Sequence, residues 1–224
     1  MMRHLLVITI CLFLAAADVR AQEPAKPSEP AATPKKTNAR PADASAIQSE
    51  PFDGASVEKM REQCVTLDTE AGLIEIEFMP EVAPESVRNF LNLVATGTLD
   101  TTTFSRVVRD FVIQGGNLAT SEKWGVELSK RGSRKLPDEP NLVKHERGIV
   151  SMARGDEPNS ASTHFFILVG PGQHLNGKFA AFGRVRKGME VADAINAAPK
   201  NGDKPAKPVR INRALFAACP AVGP

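Results

Sequence analysis

Between residues 65 and 216 the chain breaks into short apolar runs, each closed by a turn signal. This rhythm limits the folds open to it more than any other feature. The runs over 65–69 and 73–78 alternate apolar and polar residues, and Glu70-Ala71-Gly72 between them reads as a hairpin turn. Further strands are predicted over 103–109, 111–115, 148–153, 164–169, 179–185 and 209–216. Only two stretches show a helical period. One starts near Pro84, places Val87, Phe90, Leu91 and Val94 on one face, and stops at Gly97. The other covers 189–197. The segment 118–147 is polar and turn-rich. Eight short strands with two helices favour an antiparallel barrel or sandwich over a parallel sheet, whose crossovers would need more helices.

The ends of the chain read differently. Arg3 and His4 precede an apolar run over 5–17, and small residues follow up to Ala21. This is the pattern of a secretory signal peptide over 1–21, cleaved after Ala21, and the run is short for a membrane-spanning helix. The periplasm of a bacterium or the extracellular space is the compartment it implies. Residues 22–56 form a linker rich in Pro, Ala and Lys. Six of the chain's 17 prolines lie there, and over 22–51 its charges cancel, so it lacks the apolar surface to offset the entropy of ordering. One compact domain is expected over 57–219, followed by a tail over 220–224. The formal net charge of +2 gives no support to bulk binding of nucleic acid or of an acidic membrane. After cleavage two cysteines remain, Cys64 and Cys219. They read equally as a disulfide or as two unpaired small hydrophobes.

Several motifs lead nowhere. Residues 172–178, GQHLNGK, fit the spacing of a phosphate-binding loop, but Phe179 stands where a Ser or Thr is needed and a strand follows instead of a helix. His145, His164 and His174 lack metal-ligand spacing, so no metal is expected. Ser151 sits in GIVSM, not in a nucleophile elbow. What remains is a set of Phe-rich strands carrying isolated polar residues. Alternation places Phe165 and Phe166 on opposite faces, and puts Arg106 on one face with Phe104 and Val108. A lone buried arginine would be costly. On the floor of an apolar groove, held by a neighbouring glutamine, it would have a use.

Three segments, FSRVVRDFVIQGGN, GIVSMARGDEPNSASTHFFI and HLNGKFAAFGRVRKGMEV, occur in that order. Together they resemble the cyclophilin-type peptidyl-prolyl cis-trans isomerases, here of a bacterial exported kind, over about 64–216. The resemblance implies a mainly β fold, a closed eight-stranded antiparallel barrel capped by two α-helices, with its active groove on the outside of the barrel. It makes Arg106 the catalytic arginine and Gln114 the residue that orients it. Phe111, Phe166 and Leu175 become walls of a proline pocket. Val112 falls where Met is usual. Ala153 and Arg154 become the edge strand that pairs with substrate, with Arg154 where Asn is common. His164, His174 and Phe179 replace the usual Gln, Trp and His, and they complete the substrate-binding set.

The implied reaction is rotation about an X-Pro amide, with a barrier of roughly 18–20 kcal/mol and no cofactor. The implied partners are proline-containing segments of unfolded or exported proteins. A monomer is expected, with no nucleic acid bound and no stable membrane insertion after cleavage. The competing reading is a non-catalytic proline-peptide-binding module or chaperone using the same groove, and His164, His174 and Phe179 keep it open. In the family's fold the first and last strands are antiparallel neighbours, which tips the reading of Cys64 and Cys219 towards a bridge.

Overall fold

Two strands with the same alternation start the sheet. In β1 (Gln63–Thr69) Val65 and Leu67 are buried, and in β2 (Gly72–Phe78) Ile74, Ile76 and Phe78 are. Thr69 closes the hairpin between them, its hydroxyl donating to the Gly72 carbonyl at 2.7 Å. The computed structural model describes residues 49–219. The expected signal peptide, residues 22–48 of the expected linker and the tail 220–224 lie outside the described residues.

The remaining elements are α1 (Val57–Arg61), α2 (Pro84–Ala95), β3 (Arg106–Val108), β4 (Val112–Gly115), α3 (Val126–Gly132), β5 (Ile149–Met152), β6 (Phe165–Leu168), β7 (Ala181–Lys187), α4 (Met189–Ala197), β8 (Lys200–Asn201), β9 (Lys204–Pro205) and β10 (Ile211–Ala218). Eight of the strands make one antiparallel sheet in the order β10-β1-β2-β7-β5-β6-β4-β3, and β8 pairs with β9 as a separate hairpin.

The sheet is an open half-barrel, not the closed barrel expected. No ladder joins its two end strands, β10 and β3. An isolated bridge, Thr103 to Arg210, and backbone hydrogen bonds, among them Ile211 N–H to the Thr102 carbonyl at 2.8 Å and Phe104 N–H to the Val209 carbonyl at 2.9 Å, connect the start of β10 with the chain ahead of β3. The β8–β9 hairpin explains the gap. The Val107 N–H of β3 donates to the Asp203 carbonyl at 2.8 Å, so that edge already has a partner.

α2 and α4 are the two helices expected. α2 packs Val87, Phe90, Leu91 and Val94 inward, where the Phe90 ring meets Phe165 edge-on at 5.2 Å between centroids. Ala83 offers no side-chain cap to this helix. Instead the Glu139 carboxylate, from the long polar segment, accepts from the Glu85 and Ser86 N–H groups at 2.8 Å each, a favourable place for an anion. That bond ties 118–147 to the domain. α3 lies in the same segment and buries none of its residues, so it left no periodic signal to read.

The domain also begins earlier than expected. Phe52 is buried, and its N–H donates to Asn92 Oδ1 at 2.7 Å. The Glu50 carboxylate accepts from Arg131 Nε at 2.6 Å and pairs with Arg134. Residues 50–56, counted with the linker on composition, are therefore part of the packed unit, and α1 follows them. At the other end Cys64 and Cys219 are joined as a disulfide, with Cα atoms 5.0 Å apart.

Candidate active site

Cross-strand register assembles the site. Arg106 of β3 stands opposite Gln114 of β4, and Gln114 stands opposite Phe166 of β6. Val112 is likewise opposite Leu168. Because neighbours in a strand face opposite ways, Val107, Ile113, Phe165 and Ile167 enter the main core, while Arg106, Val112, Gln114 and Phe166 fall on the other face. There Val112, Phe166, Leu168 and Leu175 form a second apolar cluster, flanked by Val108, Phe111, Ile149, Ala153 and Phe179. Phe104 does not share Arg106's face, as alternation had implied. It precedes the ladder of β3 and is fully buried in the main core. The approach of β4 to β6 depends on Gly116: its φ is +79°, and a side chain there would collide with the Thr163 carbonyl.

A pocket of about 160 Å³ opens on this face. Arg106, Phe111, Val112, Gln114, Ala153, Arg154, Phe166, Leu175 and Phe179 line it. Nine of the residues singled out from the sequence thus meet at one place. Phe179 stands edge-on to Phe166 at 6.0 Å, and the Arg154 guanidinium lies over the Phe179 ring at 5.2 Å. At the mouth, Arg106 NH1 donates to Gln114 Oε1 at 3.4 Å, and its NH2 pairs with Asp203 Oδ2 at 2.9 Å.

Two of the eleven expected groove residues are not in the lining. His174 stands beside a lining residue, with its ring 5.2 Å from that of Phe111. His164 contributes its carbonyl, which accepts from the Ala153 N–H at 2.9 Å. Ala153 and Arg154 do line the pocket, but not as an edge strand. β5 ends at Met152 and is paired on both sides, so these two residues extend just beyond it.

Sequence reasoning missed the support beneath the pocket. His145 is fully buried. Its Nε2 is 2.9 Å from Ser151 Oγ, its backbone N–H donates to Asn176 Oδ1 at 2.7 Å, and its ring stacks near Phe166 at 6.4 Å. The pair has the spacing of a base and a nucleophile. Both residues have no exposed surface, so no substrate reaches them, and their role is to hold Phe166 and the turn carrying Leu175. A histidine among loop residues has no period, so no sequence signal could have found it. Asp203 was missed for the same reason.

A family model described as "Cyclophilin type peptidyl-prolyl cis-trans isomerase/CLD" matches residues 64–215. The chain belongs to the cyclophilins. A peptidyl-prolyl cis-trans isomerase of Dictyostelium discoideum, cypE, is 40% identical over 157 residues, covering 69% of this chain and 98% of its own. Another, of Arabidopsis thaliana, is 37% identical over 161 residues, covering 71% and 99%. Among solved structures, a Cryptosporidium parvum cyclophilin-type isomerase determined in the presence of the dipeptide Ala-Pro superposes with a TM-score of 0.62. It is 29% identical, over 70% of this chain and 100% of that one.

In this cyclophilin burial pushes two histidines beside the groove below their ordinary value. Desolvation is the main cause for His145, opposed by its Asn176 bond and reinforced by His174. Desolvation is also the main cause for His164, with Lys135 adding to it. The unfolded chain therefore takes up protons first as pH falls. Stability is full above roughly pH 6.5 and declines as pH drops towards the lowered folded values. Urea unfolding midpoints should fall between pH 7.5 and 5.5, and less steeply in His164→Gln. A midpoint that is constant over that range would contradict this.

Proposed function

We propose that this cyclophilin accelerates X-Pro rotation in exported proteins as they fold, with Arg106 as the donor to the imide nitrogen. The observation that carries the reading is a guanidinium, paired with Gln114, at the mouth of a mainly apolar pocket sized for a small ring. As the amide twists, its nitrogen loses conjugation and regains a lone pair. A fixed cation donating to that lone pair stabilises the twisted state and neither planar isomer, which is what catalysis requires. Phe111, Val112, Phe166, Leu175 and Phe179 hold the proline ring, so that rotation falls on the acyl side. The Ala-Pro dipeptide used with the C. parvum relative is of the same chemical class.

Two features support export. The apolar run over 5–17 has signal-peptide length. A disulfide between Cys64 and Cys219 suits an oxidising compartment. The test is to express the full chain and assay the exported product on an X-Pro tetrapeptide. A mature protein beginning at Gln22 that accelerates cis-trans exchange is expected. Tight peptide binding without acceleration would instead favour a chaperone or peptide-binding module. A chain retained uncleaved in the cytoplasm would remove the export reading.

A further inference from the structure

We infer that Asp203 is a positioning residue for the isomerase reaction, holding the Arg106 guanidinium from the side opposite Gln114. The inference rests on the proposed role of Arg106. Arg106 sits on the last strand of the sheet, and its side chain is 46% exposed, so packing alone does not fix it. Two polar anchors do. The bond to Gln114 Oε1 is long, at 3.4 Å. The contact with Asp203 Oδ2 is an ion pair at 2.9 Å, closer than the Gln114 bond and between opposite charges. With Gln114 accepting from NH1 on one side and the Asp203 carboxylate paired with NH2 on the other, the guanidinium is held between two side chains while donors remain for the reacting amide.

Asp203 is itself held. It lies at the turn between β8 and β9, next to Gly202 at φ +59°. Its carbonyl accepts from Val107 N–H at 2.8 Å, and the Lys200 ammonium donates to the Val107 carbonyl at 3.3 Å. The hairpin is thus bonded to the residue next to Arg106, so the position of the carboxylate follows that of β3. Because neither bond uses the Asp203 side chain, changing that side chain leaves the turn in place.

The experiment measures kcat and KM separately on an X-Pro peptide for the wild type, Asp203→Ala, Asp203→Glu, Arg106→Ala and the Arg106→Ala/Asp203→Ala double variant. Asp203 is 53% exposed, and an exposed ion pair supplies about a two- to fivefold effect. Asp203→Ala should lose that much in kcat with KM and melting temperature unchanged. Asp203→Glu should recover part of the loss. The double variant should be no slower than Arg106→Ala alone, because Asp203 acts only through that residue. An unchanged or raised kcat in Asp203→Ala overturns the inference, as does a further loss in the double variant or a change confined to KM. If Arg106→Ala keeps full activity, the assigned role of Arg106 fails first. If Arg106→Ala is inactive and Asp203→Ala is normal, only the inference about Asp203 fails.

Discussion

Arg106→Ala is expected to fold as the wild type does and to lose on the order of 10²–10³ in kcat/KM on an X-Pro peptide. The uncatalysed exchange takes roughly tens to hundreds of seconds, because the amide must give up its partial double bond. No bond is broken, so the protein can help only by binding the twisted state more tightly than the planar ones. Among the nine residues lining the pocket, only Arg106, Gln114 and Arg154 carry polar side chains. The Arg154 guanidinium is engaged over Phe179 and with the Gly155 carbonyl at 3.1 Å, which leaves Arg106 as the donor at the mouth. The substitution removes no core packing, since nearly half of that side chain faces solvent. Circular dichroism and the melting temperature should therefore match the wild type while the isomerase rate collapses. Arg106→Lys is a useful companion: it keeps a positive charge but loses the planar fork that Gln114 and Asp203 grip, and so should recover little. Wild-type kcat/KM in Arg106→Ala would end the assignment.

The second large effect concerns stability. The disulfide joins residues separated by 155 positions, nearly the whole length of the domain. In the chain-entropy account, a loop that long restricts the unfolded chain enough to stabilise the fold by about 4–5 kcal/mol. For a domain of this size that corresponds to a fall of roughly 10–20 °C in Tm when the bridge is reduced. Its position adds to the effect. Cys64 is the second residue of β1 and is completely buried, and Cys219 directly follows β10, so the bridge holds together the pair of strands at one end of the sheet. Thermal unfolding of the oxidised protein against the same protein in excess reductant measures this directly. Thiol titration of the denatured, unreduced mature protein should find no free thiol. Equal midpoints with and without reductant would contradict the stabilising role.

How far the site could be read in advance depends on how local its determinants are. Phe166 and Phe165 were separated correctly because strand alternation is a property of consecutive residues. The same rule failed for Phe104, since the chain before Arg106 leaves the ladder and the period of two ends with it. α2 was legible from Pro84, its apolar face and Gly97. The short helices α1 and α3 were not, because one turn or two bury too little to leave a pattern. Residues 50–56 were assigned to the linker by composition, although Phe52 and Glu50 each find a partner far along the chain.

By itself the sequence determined the local grammar of this cyclophilin: the eight strands of the main sheet, where the two longer helices lie, which side chains share a face within a paired strand, and the three motifs that carry the family resemblance. Period, turn chemistry and residue type act over a few positions, so they can be read without coordinates. Tertiary structure decided the rest. It left the sheet open, because the β8–β9 hairpin occupies an edge that a closed barrel would have paired. It kept His164 and His174 out of the pocket lining and placed His145 beneath it. It also brought Asp203 to Arg106 across 97 residues of chain (203 minus 106). These contacts join residues distant in sequence, and their energies depend on distance and burial, which only the folded chain defines.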